Sequence, residues 1–371
     1  MKILIENIDL RPGSDDSFLE RVASKNYKSE LKLYKILRKS IDARKKGKVL
    51  IKYRAVFVAD DKDRGRLLKL GCVPYEDPPV IKLEKSDKKD KILIIGSGPA
   101  GLFAALRLME RGIRSVILER GKNISERHKD VESLRKNGIL NTESNVVFGE
   151  GGAGTYSDGK LTTRINKGGI DWLFEKLVEN GAPENILFDA KPHIGTDVLS
   201  RVVVNIRKKL LDFGSEIHFG EKVVKTISHN GKAIAAQTAS GKEYSADHII
   251  VACGNSARDF FEVLSESGVY LEKKGFAVGV RIEHPVKFIN KSQYGVQFAK
   301  LSAADYRLSF TNKVTRRGIY TFCMCPGGEV VNSSSENARF CVNGMSYSRR
   351  DLPFSNSALI VEVRPGDVPD G

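Results

Sequence analysis

Apolar residues recur along the chain with two periods, which predict a mixture of strands and helices. Ile92–Ile95 and His248–Ala252 are short apolar runs, typical of buried parallel strands. Leu102–Met109 and Thr196–Leu211 place apolar side chains at helical spacing, and Ser115–Leu118 form another short strand-like run. Strands that alternate with helices predict an α/β unit built on a parallel sheet.

The two ends of the chain depart from this central pattern. Lys2–Ile8 alternate like a strand, Asp15–Ser17 can cap a helix, and the charged segment Glu84–Asp90 is typical of a linker. Beyond residue 265, short runs with turns between them predict a largely antiparallel sheet. These predicted strands are Phe276–Ile282, Tyr294–Phe298, Gly318–Cys323, Glu329–Asn332 and Ala358–Val363.

A glycine motif follows the first apolar strand. Gly96, Gly98 and Gly101 form G-x-G-x-x-G ahead of the helix, and Glu119 ends the next strand, 18 residues after Gly101. Gly96 permits a tight turn, Gly98 lets the backbone approach a pyrophosphate, and Gly101 lets helix and strand pack closely. The helix N-terminus offers free N–H groups to the anion, and Glu119 can accept hydrogen bonds from a ribose. The spacing predicts a dinucleotide site, with a glycine-rich structural turn as the alternative.

Further segments indicate which dinucleotide is bound. No second glycine motif of this type opens a later strand–helix unit, so a separate nicotinamide domain is not visible. A glycine-rich stretch at 148–160, then strands, then a return strand ending in Ala252-Cys253-Gly254 give the order typical of flavoproteins with two dinucleotide-binding domains. These features favour FAD, with NAD(P)H as a candidate transient electron donor. The predicted cofactor contacts are Gly96, Gly98, Pro99, Ala100, Gly101, Glu119, Arg120, Gly152, Gly154, Asp158, Lys160, Val223, Ala252 and Gly254.

Few side chains have to be catalytic, because a flavin itself carries the hydride chemistry. The candidates are Lys160, His193, Arg281 and His284, with Arg164 as a further residue that could face the flavin or a substrate. A lysine can stabilise an anionic reduced flavin, a histidine suits proton transfer, and an arginine can bind a carboxylate bidentately. A structural role is the alternative for each of them.

Two cysteines form a C-x-C pair at Cys323 and Cys325. The pair has too few ligands for zinc, and we interpret it as two cysteines on one face of a strand. No cysteine pair follows the glycine motif on its helix, which argues against a dithiol reductase of the glutathione-reductase activity type. We predict no metal site.

Composition bounds the partners and the compartment. The chain has 371 residues, of which 41% are hydrophobic, and a net charge of +15. This charge can attract nucleic acid, an anionic membrane or an acidic substrate, or reflect solvated lysines. No apolar run reaches membrane-spanning length, and the scattered odd number of cysteines fits a reducing cytoplasm. We expect a cytoplasmic protein with a small-molecule substrate and no membrane partner. A nucleic-acid-associated flavoprotein, such as one that modifies tRNA, is the alternative.

Several long stretches together resemble a poorly characterised bacterial family of FAD-dependent dehydrogenases with an N-terminal extension. The resemblance implies an FAD-binding oxidoreductase and does not imply a substrate. The stretches are RKSIDARKK at 38–46, GSGPAGLFAA at 96–105, ESNVVFGEGGAGTYSDGKLTTR at 143–164, KPHIGTD at 191–197, GFAVGVRIEHP at 275–285, CMCPGGEVVNSSSE at 323–336 and NGMSYSRRD at 343–351.

The resemblance and the residue patterns together define the expected fold class, α/β. We predict a small N-terminal α/β accessory domain at 1–85 and a glutathione-reductase-type Rossmann domain that binds FAD at 91–260. An inserted, largely antiparallel β domain for the substrate is predicted at 265–371.

The end of the chain departs from the family pattern. Members continue into a GEGAGYAGG-like segment that returns to the flavin, whereas this sequence ends at Gly371 after a turn at Pro365-Gly-Asp367. We therefore expect a C-terminal truncation that holds FAD weakly or not at all. A non-catalytic nucleotide binder is accordingly a third alternative.

Overall fold

The N-terminal part of the chain forms its own antiparallel sheet. The computed structural model describes residues 1–45, 47–79, 83–161 and 169–369. The first elements are β1 (Lys2–Leu10), α1 (Phe18–Tyr27), β2 (Leu31–Asp42), β3 (Leu50–Ala59), α2 (Arg64–Lys69) and β4 (Val73–Pro74). The strands lie in the order β2-β3-β1-β4. Alternate residues of β1, including Ile3 and Ile5, are buried together with Leu19 of α1, so this sheet has one face covered by helix.

The central part contains a parallel sheet and a small antiparallel sheet. Its elements are β5 (Ile92–Ile95), α3 (Pro99–Glu110), β6 (Ser115–Glu119), α4 (Ile124–Asn137), α5 (Ile170–Glu179), α6 (Thr196–Asp212), β7 (Glu216–Phe219), β8 (Val223–His229), β9 (Lys232–Thr238), β10 (Glu243–Ser245), β11 (His248–Val251) and α7 (Arg258–Glu266). The parallel sheet has the order β11-β5-β6-β7, and the antiparallel one has the order β10-β9-β8.

The apolar β5 run lies inside the parallel sheet because both of its faces are covered. All four residues of β5 are buried, and α3 packs Leu102, Ala105 and Leu106 into the same core. Since β5, β6 and β11 run in parallel, their carboxyl ends meet at one edge of the sheet. In open α/β sheets that edge is where ligands bind.

The last part is mostly antiparallel sheet. Its elements are β12 (Phe276–Pro285), α8 (Val286–Tyr294), β13 (Ser309–Thr311), β14 (Gly318–Cys325), β15 (Glu329–Asn332), β16 (Val342–Met345) and β17 (Phe354–Val363). The four-stranded sheet has the order β12-β17-β14-β13, and β15 pairs with β16. The expected α/β fold class is thereby confirmed. The domain boundaries stay a prediction, although each predicted range contains a sheet of its own.

The strand predicted at Tyr294–Phe298 is wrong. Tyr294 ends α8, and a 3-10 turn occupies Gly295–Lys300. Tyr294 is buried in one cluster with Ile289 and Val49, so it packs from the end of a helix, whereas Val296 is exposed. Within the described parts of the chain, none of the helices combines the length and the apolar character needed to cross a membrane.

Candidate functional site

The glycine turn is shaped by close backbone packing. Gly96 has a φ of 109°, and a Cβ there would lie 2.4 Å from the carbonyl oxygen of Ala252. A Cβ at Gly101 would lie 2.0 Å from the carbonyl oxygen of Gly96. Gly98 precedes α3 without a side-chain capping bond, and Pro99 occupies the first turn. The amides of that turn therefore face the sheet edge with no side chain of their own to satisfy them.

Glu119 ties this turn to the second glycine-rich segment. Its Oε2 accepts hydrogen bonds from the Ser97 amide at 2.9 Å and the Ser97 hydroxyl at 2.8 Å. Its Oε1 accepts from the amides of Gly121 at 2.9 Å and Gly149 at 3.0 Å. A carboxylate has about four lone-pair sites, so these four protein donors use nearly all of its capacity to accept hydrogen bonds. The predicted ribose contact of Glu119 stays a prediction, and a sugar hydroxyl there would share an acceptor that already holds the fold together.

A buried arginine of α4 holds the second glycine-rich segment in place. Arg127 is fully buried, and its guanidinium donates to four backbone carbonyls. The acceptors are the carbonyl oxygens of Asn145 at 2.8 Å, Val146 at 2.9 Å, Glu150 at 2.5 Å and Gly152 at 2.9 Å. Burial lowers the pKa of Arg127 to about 10, so the side chain remains charged at neutral pH.

A cleft of about 480 Å³ opens between the two glycine segments and the carboxyl ends of the parallel strands. The predicted cofactor residues that line it are Gly96, Gly98, Pro99, Ala100, Glu119, Arg120, Gly152, Gly154, Val223, Ala252 and Gly254. The two glycine segments come close together here, because a Cβ at Gly152 would lie within 3.1 Å of the Gly98 Cα. The absence of side chains at these two positions therefore lets the two backbones approach each other, and both present bare backbone to the cleft.

Three predicted cofactor residues lie elsewhere among the described residues. Gly101 packs beneath the turn, against Gly96, rather than facing the cleft. Asp158 and Lys160, at the end of the glycine-rich segment, belong to a second cluster, described below. The cleft also contains aromatic residues that the sequence did not single out: Phe148, Phe260 and Phe261.

Arg120 enters the cleft with its charge already compensated. Its guanidinium makes two bonds of 2.9 Å to Asp259 and one of 2.7 Å to Glu143. Lys222 pairs with the same two acids, at 2.7 and 3.1 Å respectively. The guanidinium carbon lies 4.1 Å from the centre of the Phe148 ring. These partners hold the Arg120 side chain in place at the wall of the cleft.

Asp158 is the centre of the second cluster. It is 1% exposed and accepts hydrogen bonds from the Ser346 hydroxyl and, at 2.7 Å, from Arg350. Lys160 Nζ lies 3.3 Å and His193 Nε2 lies 4.0 Å from its oxygens. Burial raises the pKa of the Asp158 carboxyl, but the charges of Arg350 and Lys160 and the Ser346 bond outweigh burial and hold it below its usual value. The carboxylate is thus ionised at neutral pH.

His193, in the same cluster, is harder to protonate than an ordinary histidine. Burial and the nearby Arg350 charge lower its pKa to about 4, although Asp158 opposes them. The imidazole is therefore neutral at pH 7. The predicted role of proton donor stays a prediction, and it would begin from the uncharged ring.

The other catalytic candidates are held by different partners. Arg281 Nη2 donates to the Cys323 carbonyl at 3.2 Å, and Arg281 Nη1 donates to the Asn356 side chain. His284 Nε2 lies 2.8 Å from the Tyr306 hydroxyl. Arg164 lies outside the described residues.

Sequence reasoning missed the residues that position the two clusters. Arg127 and Ser97 gave no signal, since an arginine in a polar helix and a serine in a glycine turn are ordinary. Ser346 and Arg350 could have been found, because both fall in the NGMSYSRRD stretch of the family resemblance. Both contact Asp158 of the glycine-rich stretch.

Three family models match this chain. Residues 275–370 match a model described as FAD-dependent protein, C-terminal domain-like, and residues 89–152 match an FAD binding domain. Residues 2–57 match a domain of unknown function. An uncharacterized protein of Clostridium beijerinckii is 41% identical over 376 residues, which covers 99% of this chain and 70% of the clostridial protein.

Solved structures share only a weak likeness with the chain. CtdE in complex with FAD is 13% identical, with a TM-score of 0.33, over 76% of this chain and 62% of its own. L-amino acid deaminase from Proteus vulgaris is 16% identical, with a TM-score of 0.28, over 55% of this chain and 56% of its own. The assignment rests on the sequence matches. The chain belongs to the bacterial family of FAD-dependent oxidoreductases that includes the clostridial protein.

Proposed function

We propose that the chain binds FAD in the cleft and uses it to oxidise or reduce a small molecule, with a reduced nicotinamide as electron donor. The observation that carries this proposal is the meeting of three features at one sheet edge. They are the uncapped N-terminus of α3, the side-chain-free backbone at Gly98 and Gly152, and the ends of three parallel strands. Together they fit a ligand that is anionic in its middle and flat at its ends.

The cleft residues fit the parts of a dinucleotide one by one. Amides of the first turn of α3, including that of Ala100, would hold the pyrophosphate, because the helix end carries partial positive charge. Val223 begins β8 at the cleft wall and would present backbone to an adenine. Ala252 and Gly254 would lie against the ligand from the opposite wall.

The cluster around Asp158 is the candidate place for a substrate. When bound, FAD supplies two-electron hydride chemistry. Lys160 is partly exposed, at 22% of its side chain, and presents a positive charge beside the end of the glycine-rich segment. Asp158 holds that lysine, and the neutral His193 can keep a proton on one ring nitrogen. These three groups suit a substrate that carries negative charge or an exchangeable proton.

Gly98→Ala tests whether a diphosphate lies directly against the backbone at this position. The φ of Gly98 is −70°, which any residue adopts, and its added Cβ would meet only the Gly152 Cα at 3.8 Å. The fold should therefore tolerate the methyl group, whereas a diphosphate on bare backbone should not. We expect FAD affinity, measured by flavin fluorescence titration, to fall roughly tenfold or more, or about 1.4 kcal/mol.

The matched control is Gly65→Ala in α2, where an added Cβ meets nothing within 4 Å. We expect this variant to bind FAD like the parent chain. Equal FAD affinity in Gly98→Ala and the parent would contradict the placement of the pyrophosphate. Absence of NADH and NADPH oxidation by the FAD-loaded chain would remove the nicotinamide from the proposal.

A further inference from the structure

Cys323 and Cys325 do not sit on a regular strand. The register between β14 and β17 shifts between Phe322 and Cys325, and Cys323 has a φ of 49°, in the left-handed region. A non-glycine residue in that region commonly marks a functional constraint. The irregularity brings the two residues together: the Cys325 thiol donates to the Cys323 carbonyl oxygen at 3.2 Å, and the two side chains interact. Cys325 is fully buried, whereas Cys323 is only partly covered, and both are free thiols.

Cations from two other segments approach this pair. Arg281 of β12 donates to the Cys323 carbonyl oxygen at 3.2 Å and lies 3.8 Å from the Cys325 sulfur. Lys160, at the end of the glycine-rich segment, adds a second positive charge that acts on Cys323, and Asp158 opposes it. The pair therefore lies beside the cluster already proposed to face the substrate.

The two thiols have opposite tendencies to ionise. The contact with the Cys325 side chain, together with the charges of Lys160 and Arg281, lowers the pKa of Cys323, against the opposing effects of burial and Asp158. The same contact and burial raise the pKa of Cys325. The two thiols thus differ in their tendency to ionise, and the less buried Cys323 is the one that a small disulfide can reach, which is the pattern of an attacking and a resolving cysteine.

Two other cysteines show what a structural thiol looks like in this chain. Burial raises the pKa of Cys72, and burial is also the main effect that raises the pKa of Cys253. No cation acts on the Cys72 thiol, and for Cys253 the charge of Arg120 does not outweigh the effect of burial. A thiol whose pKa is raised in this way is less reactive.

We propose that Cys323 and Cys325 are a redox-active dithiol that closes to an intrachain disulfide by exchange with a low-molecular-weight disulfide. The Cys323 thiolate attacks one sulfur of the small disulfide, whose S–S bond breaks, and the released thiolate takes a proton from solvent. Cys325 then loses its proton, and its sulfur attacks the Cys323 sulfur and expels the second small thiol. The pair gives up two electrons, and the small disulfide becomes two thiols. The exchange needs no flavin, so its failure is distinguishable from failure of FAD binding.

Glutathione is the probe for the exchange. The full chain is equilibrated in mixtures of oxidised and reduced glutathione, acid-quenched, alkylated and analysed by peptide mass spectrometry. In oxidising mixtures we expect the peptide with Cys323 and Cys325 to take up no alkyl group and to be two hydrogens lighter than the unalkylated dithiol peptide. After treatment with dithiothreitol it should be doubly alkylated. The variants Cys323→Ser and Cys325→Ser should abolish this product, and the matched control Cys341→Ser, at an exposed thiol, should retain it.

A second measurement follows the parent chain and does not depend on how the serine variants fold. Iodoacetamide alkylation of Cys323 should rise with pH around a midpoint below that of an ordinary thiol. Lys160→Met should move that midpoint upward and slow alkylation at pH 6.5 roughly twofold or more. Two free thiols in every glutathione mixture, or an alkylation midpoint near that of an ordinary thiol, would overturn the proposal.

Discussion

Replacing Arg127 with methionine tests whether the second glycine-rich segment depends on one buried cation. The guanidinium of Arg127 donates at 2.5 to 2.9 Å to four backbone carbonyls in 145–152. Methionine fills a similar volume and donates nothing. The substitution therefore leaves those carbonyls in a buried site without donors.

The magnitude follows from what each orphaned carbonyl loses. A buried acceptor without a partner costs roughly 1–3 kcal/mol, and removal of one partner from a buried charged network typically costs roughly 3–5 kcal/mol. Burial of the charged Arg127 side chain itself costs free energy, as its lowered pKa indicates. Methionine does not carry this cost, so part of the loss from the unpaired carbonyls is offset. We expect a loss of roughly 3–5 kcal/mol in the free energy of unfolding.

The measurement is urea unfolding of Arg127→Met beside Arg135→Met, which lies on the same helix. Arg135 is 52% exposed and pairs with Glu329 at 2.9 Å, so its loss should cost less than about 1 kcal/mol. Hydrogen exchange should also become faster in 145–152 for Arg127→Met alone. Equal stability of the two variants, with unchanged exchange in that segment, would refute the assigned role of Arg127.

Two further predictions concern buried ionisable groups. The pKa of His193 is lower in the folded chain, about 4, than its ordinary 6.5, so its stabilising contribution is present above pH 6.5 and is lost as the pH falls toward 4. Between pH 7 and pH 5 the parent should lose roughly 2 kcal/mol that His193→Gln does not lose, and parallel urea midpoints across that interval would contradict this. Glu119→Gln should lose roughly 2–4 kcal/mol in the same assay, because an amide nitrogen would face two protein donors. The control Glu132→Gln removes only an ion pair with Lys136 near the surface. If Glu119→Gln lost no more stability than this control, the four hydrogen bonds of Glu119 would not stabilise the fold as proposed.

Local patterns predicted the part of the fold that depends on local rules. The apolar run Ile92–Ile95 and the glycine spacing after it correspond to β5 and the turn into α3. Glu119 ends β6 at the cleft, as its distance from Gly101 suggested. Each of these predictions depends on residues within one strand–turn–helix unit.

Contacts between distant segments could not be predicted in this way. The four carbonyls that Arg127 binds lie 18 to 25 residues along the chain, and nothing in the polar α4 pattern indicates them. The C-x-C pair was interpreted as two cysteines on one strand face, because periodicity does not reveal the register shift at Phe322 or the left-handed Cys323. An alternating pattern assumes a regular strand, and functional irregularities are where that assumption fails.

The glycine-rich segment is held near both of its ends by arginines that come from different parts of the chain. Arg127 binds near its beginning from α4, whereas Arg350, which follows β16, binds Asp158 near its end. Without Arg350 and Ser346, Asp158 would be a buried carboxylate with fewer donors, a state that costs roughly 3–5 kcal/mol. The end of the segment therefore depends on contacts from the region after residue 265. It follows that the Asp158 cluster is built jointly by the glycine-rich segment and the antiparallel region.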